Sequence, residues 1–518
     1  MNGPVPPPAL PPLYGAERWL ATISVSLATF MNVLDSSIAN VSIPAIAGDL
    51  GVSPAQGTWV ITSFAVANAI SMPLTGWLAL RFGAVRVFIT STLLFVLASW
   101  LCGLAPTIEA LVGFRVLQGL VAGPMIPLSQ TLLLSVYPPA LAGMATALFG
   151  MTVLVAPVVG PLLGGWVTEQ FSWPWIFYIN VPLGLGAMAV VWQLFRERQT
   201  PPRRVPLDRV GLVLLVLWVG AMQLMLDMGK ENDWFASNRI VVLALVAAIG
   251  FAVFLVWELG EAHPVVDLRL FARRNFLVGT LALAVAYGLI FGNIVLLPLW
   301  LQQHMGYTST WAGLVLAPVG LLAIVLSPWV GHNVSRIDPR RLTTVAFLGF
   351  AAILWMRSQF NTQADLATIL LPTLLQGIAM AFFFIPLQAI AYAGLPPARM
   401  ASATGLNNFV RITAGAVGTS VFTTLWESRA RMHHAQLAEQ VNAASPAARQ
   451  ALAQLQAAGY TPEQALAQID RLIDQQAFTL AANDLFWLSA VLFVALVGLL
   501  WAAGPPAGRA GAVEGGAH

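Results

Sequence analysis

The feature that most restricts what this chain can become is the recurrence of long apolar runs. A helix needs about 20 predominantly apolar residues to cross the hydrocarbon core of a bilayer. Such runs occur near residues 17–41, 57–79, 86–105, 109–136, 142–168, 173–195, 209–228, 239–258, 275–302, 308–332, 340–358, 366–393, 402–425 and 483–503. Of the 518 residues, 58% are hydrophobic and only 9% are charged. A soluble domain carries about a quarter charged residues, so this composition cannot cover a surface facing water. In lipid, backbone polar groups must be satisfied within the segment itself, and runs of this length do so as helices. The expected fold class is an all-α membrane protein with fourteen transmembrane helices.

Arginine placement orients these spans. Arg81 and Arg86, then Arg196, Arg198, Arg203, Arg204 and Arg209, then Arg269, Arg273 and Arg274, then Arg336, Arg340 and Arg341, and finally Arg399 all follow even-numbered spans. Basic residues mark cytoplasmic loops, so both termini are expected in the cytoplasm of a bacterial cell, with the spans in its inner membrane. Residues 1–16 read as a proline-rich cytoplasmic tail without the basic start and short apolar core of a cleaved signal peptide. The first span then acts as an uncleaved insertion signal, and 504–518 read as a disordered tail. A net charge of +3 gives no reason to expect nucleic acid, and the single Cys102 excludes an intrachain disulfide and a CxxC metal site.

An internal repeat groups the spans. LQGLVAGPMIPLSQ at 117–130 is echoed by LQGIAMAFFFIPLQ at 375–388, and YPPALAGMATAL at 137–148 by LPPARMASATGL at 395–406, both about 258 residues apart. Span 4 then corresponds to span 12. Two bundle halves related by an axis along the membrane normal give such a pattern. The expected domains are an N-terminal six-helix bundle at 17–195, a linker with two inserted transmembrane helices at 196–274, and a C-terminal six-helix bundle at 275–503. The last includes a periplasmic helical loop at 427–482.

Several short stretches identify the family. Gly76-Trp-Leu-Ala-Leu-Arg81-Phe-Gly83-Ala-Val-Arg86 resembles the loop signature between spans 2 and 3 of the major facilitator superfamily. Arg115-Val-Leu-Gln118-Gly119 resembles its span 4 motif, and Ala156-Pro157-Val-Val-Gly160-Pro161-Leu-Leu-Gly164-Gly165 its antiporter motif. LDSSIANVSIP at 34–44, WPWIFYINVPLG at 173–184 and LDMGKENDWF at 226–235 resemble pieces of the fourteen-span drug:proton antiporters. Nearly the whole chain resembles the EmrB-like multidrug efflux branch of that subfamily. One departure stands out: much of the superfamily carries an acidic residue where this chain has Leu80, so no gating salt bridge is expected from that position.

Within this frame a few polar residues are costly to bury and therefore informative. Asp35 lies about 24 Å along the first span from Trp19 at 1.5 Å per residue, in its outer half. Asn32, Asp35, Ser36 and Asn40 fall toward one helical face, a polar stripe aimed at the bundle interior. Removing a carboxylate from water favours its protonated form, which suits a group that gains and loses a proton in a transport cycle. It would equally suit a packing aspartate bonded to neighbouring serines. Arg115, Gln118, Gly119 and Ala122 share a face of span 4, and the permanent charge of Arg115 favours proton release from a nearby carboxylate. The resemblance implicates Arg115 in proton coupling; the alternative is an arginine satisfied by helix-end carbonyls. Asp227, closing span 7, is a further proton-coupling candidate or a solvated turn. Gln376, Gln388, Asn407 and Arg411 are second-half candidates for the polar lining of a cavity, with packing as the alternative.

The small residues at 156, 160 and 164 form a close-packing seam in span 5, and Pro157 and Pro161 remove backbone donors there. The seam is expected to act as hinge and seal, together with Gly165. In the long last loop, Ser445-Pro446 and Thr461-Pro462-Glu463-Gln464 read as helix starts. Leu466, Ile469, Leu472 and Ile473 form an apolar stripe that would either pack as a cap or dock a partner. The resemblance implies a membrane-fusion adaptor and an outer-membrane channel as partners, besides lipid, protons and hydrophobic small molecules.

The function expected is proton-coupled export of hydrophobic or amphiphilic drugs by alternating access, driven by the proton gradient and needing no cofactor. An exporter of one metabolite, fatty acid or siderophore stays open. So does a non-transporting receptor or membrane enzyme, although no assembled catalytic group is visible: the six histidines fall in loops, span ends or the tail.

Overall fold

A computed structural model of the protein describes residues 11–199, 202, 205–229, 232–441 and 445–504. Each of the fourteen apolar runs falls on helix. The first half contains α1 (Gly15–Asp49), α2 (Trp59–Phe82), α3 (Ala84–Gly103), α4 (Ile108–Val136), α5 (Ala142–Gln170) and α6 (Trp175–Arg198). Then come α7 (Arg209–Met228) and α8 (Asn238–Gly260). The second half contains α9 (Arg274–His304), α10 (Trp311–Asn333), α11 (Pro339–Arg357), α12 (Leu366–Ala391), α13 (Met400–Gln440) and α14 (Pro462–Trp501). Among the described residues, eleven of these helices are long and apolar enough by themselves to cross a membrane. The other three, α5, α11 and α13, occupy the positions of the fifth, eleventh and thirteenth runs.

Local chemistry sets the interruptions. Pro73 has no backbone N–H, and α2 tightens to a 3-10 turn at Met72–Leu74. Gly83, at φ 91°, adopts a backbone conformation that side chains disfavour and turns the chain directly from α2 into α3. Side-chain caps at Thr107, Asp208, Thr308 and Asp365 satisfy first-turn N–H groups, and Thr461 with Gln464 forms a full capping box.

Both halves pack by one scheme. In the first, α1 lies against α5 and α6, α3 against α4 and α6, and α2 against α4; α9–α14 repeat these pairings in order. The halves meet where α5 crosses α10 and where α13 crosses α2 and α4. These crossings are close because glycine makes them so. A Cβ on Gly76 would collide with the Ser402 backbone at 2.9 Å, and one on Gly331 with the Gly143 carbonyl at 2.7 Å. The inserted pair α7–α8 packs on itself and leans on α2 and α13. Trp218 of α7 packs at a tilt on Phe254 of α8 and edge-to-face on Phe409 of α13, each at 5.9 Å.

One boundary differs from expectation. The segment at 427–482 is largely a continuation of its flanking spans: α13 runs 41 residues and α14 runs 40, with the short helix Pro446–Ala457 between them. At 1.5 Å per residue each is about 60 Å long, twice the ~30 Å apolar core. Apolar runs report where lipid ends, whereas Ala, Leu, Gln and Glu carry the helix onward through good propensity. Trp426 donates to the Phe478 carbonyl (2.9 Å) and His433 bonds Asp484 (2.9 Å), zipping the two extensions together.

Candidate functional site

Asp35 lies in the middle of α1 and is 1% exposed. Arg115 of α4, fully buried, forms an ion pair with Asp35 Oδ2 through Nη1. Its Nε donates to the Val60 carbonyl of α2 (2.8 Å) and Nη1 also reaches Gln118 Oε1 (2.7 Å). Asp35 Oδ1 accepts from Gln118 Nε2 (3.0 Å) and from Asn180 Nδ2 of α6 (2.9 Å). Ser99 of α3 closes the cage, accepting from Gln118 (3.2 Å) and Asn180 (2.9 Å) and donating to the Phe177 carbonyl (3.0 Å). The guanidinium carbon sits 4.3 Å from the Phe64 ring centroid and 5.5 Å from that of Phe177, a cation–π seat. The cage thus draws on α1, α2, α3, α4 and α6. Such a pair is held by desolvated charge, so removing one partner strands the other at a cost of about 3–5 kcal/mol.

The backbone sites this cage. Gly119 follows Gln118, and a Cβ there would meet Ala67 Cβ at 2.8 Å, so glycine lets α4 approach α2. Asn32, one turn before Asp35 and also buried, donates to the Ala122 carbonyl (2.9 Å) and ties α1 to α4. The seam in α5 lies against the residues that follow Asp35. A Cβ on Gly160 would meet Ser37 Cβ at 2.8 Å, and one on Gly164 would meet the Ile38 carbonyl at 2.8 Å. Ser37 donates to the Ala156 carbonyl at 3.4 Å. Pro157 and Gly165 are half-buried on the same helix; the side chain of Pro161 lies outside those described.

The remaining predicted residues separate into distinct places. Ser36 turns back on its own helix, donating to the Val33 carbonyl (2.9 Å), and Asn40 is exposed, so the polar stripe divides rather than pointing one way. The cause is rotational: at 100° per residue Asn40 lies about 140° around the helix from Asp35. Asp227 accepts from Thr62 Oγ1 of α2 (2.6 Å) and does not join the cage; Ser420 of α13 donates to the Leu226 carbonyl beside it (3.2 Å). In the loop signature, Arg81 reaches the Val205 carbonyl (3.4 Å) and the Arg86 N–H bonds Gln199 (3.3 Å), both contacts to the linker after α6.

The second-half candidates split between two clusters. Gln376 binds Arg357 of α11 (2.7 Å), which also donates to Thr373 (3.1 Å). Arg411, 1% exposed, donates to Asn408 (2.8 Å), and Asn408 donates to Gln130 of α4 (3.1 Å). Gln130 in turn donates to Gln388 of α12 and thereby bridges the halves. Asn407 donates to Thr280 (2.9 Å) and accepts from Tyr392 (3.3 Å). Sequence reasoning missed Ser99, Asn180, Gln130 and Arg357. Asn180 had a signal: a lone amide in the apolar WPWIFYINVPLG. Arg357 had one too, as a cation ending an apolar run.

Comparison with known proteins agrees with this architecture. Residues 25–419 match the family described as Major Facilitator Superfamily. The multidrug export protein EmrB of Escherichia coli is 51% identical over 508 residues, which cover 98% of this chain and 99% of that one. The fatty acid resistance protein FarB of Neisseria gonorrhoeae is 47% identical over 496 residues, 96% of this chain and 98% of that one. The human organic anion transporter MFSD10 superposes over 94% of this chain and all of its own with a TM-score of 0.58; at 14% identity, this is a likeness of fold alone. The chain belongs to the major facilitator superfamily, as a multi-pass membrane protein of its EmrB-like group.

Proposed function

We propose that this protein is a proton-coupled antiporter that exports hydrophobic or amphiphilic drugs across the bacterial inner membrane by alternating access. The observation that carries this reading is the Asp35–Arg115 pair, sealed inside one half of a two-half bundle. A proton on Asp35 cancels the negative member and frees the guanidinium, while Gln118 and Asn180 still offer the carboxyl hydrogen bonds. Loss of that proton restores the pair. Because α5 packs on Ser37 and Ile38 along glycine, any adjustment of α1 beside Asp35 is felt at the α1–α5 seam. One protonation event can therefore bias the packing of helices that line the boundary between halves. The energy source is the proton gradient, and both termini face the cytoplasm. The test is pH-gradient-driven dye efflux from proteoliposomes: wild type exports, Asp35→Asn inserts and folds but does not. Unimpaired efflux by that variant refutes the coupling role.

The relatives support drug export first, EmrB being a multidrug exporter by name. The FarB likeness favours a second reading, export of one class of fatty acid. A substrate panel in the same vesicles separates them, since a dedicated exporter moves one chemical class only.

Partnership with a periplasmic adaptor and an outer-membrane channel is the third part of the proposal. Its support is the helical projection formed by the ends of α13 and α14, where Leu466 and Leu472 of the apolar stripe are 58% and 50% exposed. With Ile469 and Ile473 half-buried beside them, these two exposed leucines favour docking over a fully self-packed cap. Leu466→Asp with Leu472→Asp should abolish co-purification with an adaptor; retention argues against this surface.

A further inference from the structure

Among the described residues three arginines are buried, and they are satisfied to different degrees. Arg115 has a carboxylate, an amide oxygen and a carbonyl with only Nη2 buried and left over, and Arg357 has a hydroxyl and an amide oxygen with only Nε buried and left over. Arg411 has one amide oxygen, from Asn408, while its Nε and Nη1 are buried without a partner. Nearby, Gln388 Nε2 is also buried and unpartnered. It belongs to the same hydrogen-bonded group, through Gln130 to Asn408. The cluster therefore holds an excess of donors and a full positive charge. Burying a guanidinium in this state is costly unless an acceptor arrives.

The surroundings say what kind of acceptor. The Arg411 guanidinium lies over the rings of Tyr287 (4.6 Å) and Phe384 (5.5 Å). Phe291 stacks on Tyr287 at 4.3 Å, and Phe149, from the other half, stacks on Phe384 at 6.3 Å. The cation thus terminates an aromatic wall built by α5, α9 and α12. Gln388 and Tyr392 also line a cavity of about 510 Å³ bounded by the loops after α4, α10 and α12, so one edge of the cluster borders open space on the side bearing the arginine-rich loops, although Arg411 itself does not line it. A donor-rich cationic tip on an apolar aromatic wall matches a molecule with one anionic head and an apolar body.

We propose that Arg411, with Gln388 as second donor, binds the anionic head group of a transported amphiphile, the apolar body lying along Tyr287 and Phe384. This rests on the transport reading above and adds a charge preference to it. The pair at Asp35 is assigned to the proton, and this second arginine to the cargo.

The test measures binding of dodecanoate and of dodecyltrimethylammonium to the full chain in nanodiscs. The two probes share an apolar chain and differ in the sign of the head. Wild type should favour dodecanoate. In Arg411→Gln the ratio of the two affinities should fall by about tenfold or more, as expected when a charge-assisted contact is lost. Arg411→Lys should restore part of it by keeping the charge without the fork of donors. Gln388→Ala, which leaves the arginine in place, should lower the ratio about threefold, consistent with loss of one neutral donor. An unchanged ratio in Arg411→Gln, or an equal loss for both probes, overturns the proposal. Because binding is read without a gradient, failure of the transport reading shows separately, as wild-type vesicles that bind dodecanoate yet export nothing.

Discussion

The two halves of this protein use the same scaffold to hold charge in opposite ways. Shifting by the 258 residues that separate Gln130 from Gln388 brings Asp35 onto Asn293, Ser99 onto Arg357, Arg115 onto Thr373 and Gln118 onto Gln376. In the first half, α1, α3, α4 and α6 meet around an aspartate and an arginine. In the second, Asn293 of α9 donates to Ser489 of α14 (3.1 Å), the helix pair equivalent to α1 and α6. The arginine has moved from the α4-type helix to the α3-type helix, where Gln376 and Thr373 hold it. No carboxylate accompanies it among the described residues. A guanidinium keeps its charge at any physiological pH, so the second cluster is a fixed fastener. The first contains a group whose charge one proton can erase. The repeated scaffold is common to both halves, and a few residues decide which half holds a carboxylate beside its arginine.

The sharpest way to break this contrast is to make the first half resemble the second. Asp35→Asn reproduces Asn293 and should reduce pH-gradient-driven efflux by more than about a hundredfold, close to the loss expected when an essential proton carrier is removed. Arg115→Gln should lower thermal stability in nanodiscs by about 3–5 kcal/mol, because Asp35 is left buried and unpaired. Combining the two should recover much of that stability without recovering efflux. Recovery of both would mean that the pair only holds helices together.

Asn180→Ala removes one of the two amides that orient Asp35. It should cost about tenfold in efflux, on the order of one lost hydrogen bond to a charged group, with a displaced pH profile. A loss of stability with an unaltered profile would reduce Asn180 to packing.

The second half gives the complementary test. Arg357→Gln should destabilise by about 1–3 kcal/mol through unsatisfied partners at Thr373 and Gln376, yet leave the pH dependence of efflux in place. A shifted pH profile would show that the fixed cation takes part in coupling, and the distinction between halves would fail.

The smallest effect lies outside the bilayer. Asp338 caps α11, accepting from the Arg340 N–H (3.0 Å) and its guanidinium (2.8 Å). That side-chain bond holds the carboxyl below its ordinary value of 3.8. A carboxyl lowered on folding contributes stability above its unfolded value, and that stability drains away as pH falls through the folded one. Asp338→Asn should therefore cost no more than about 1 kcal/mol at neutral pH, with the difference from wild type shrinking as pH falls through the lowered carboxyl value. A difference that persisted in acid would assign the effect to packing.

Much of this architecture is legible in the sequence itself. Runs of about 20 apolar residues have no stable state in lipid other than helix, so the spans are a one-dimensional property. Arginine placement and the repeated LQG and PPA stretches are local and survive as text. Asp35 and Arg115 were conspicuous because each is costly where it stands. Their pairing could only be suggested, since 80 residues separate them and only the packing of α1 on α4 brings their side chains together. Ser99 was invisible and Asn180 only a lone amide for a related reason: small polar groups are common in membrane helices, and only a partner distinguishes one that orients a carboxylate from one that fills space. Asn40, on the same helix as Asp35, shows the reverse. Sequence alone determined which segments enter the membrane and which charges had to find partners there. Tertiary structure decided who those partners are, because a helix fixes the direction of each side chain while its neighbours decide what that direction meets.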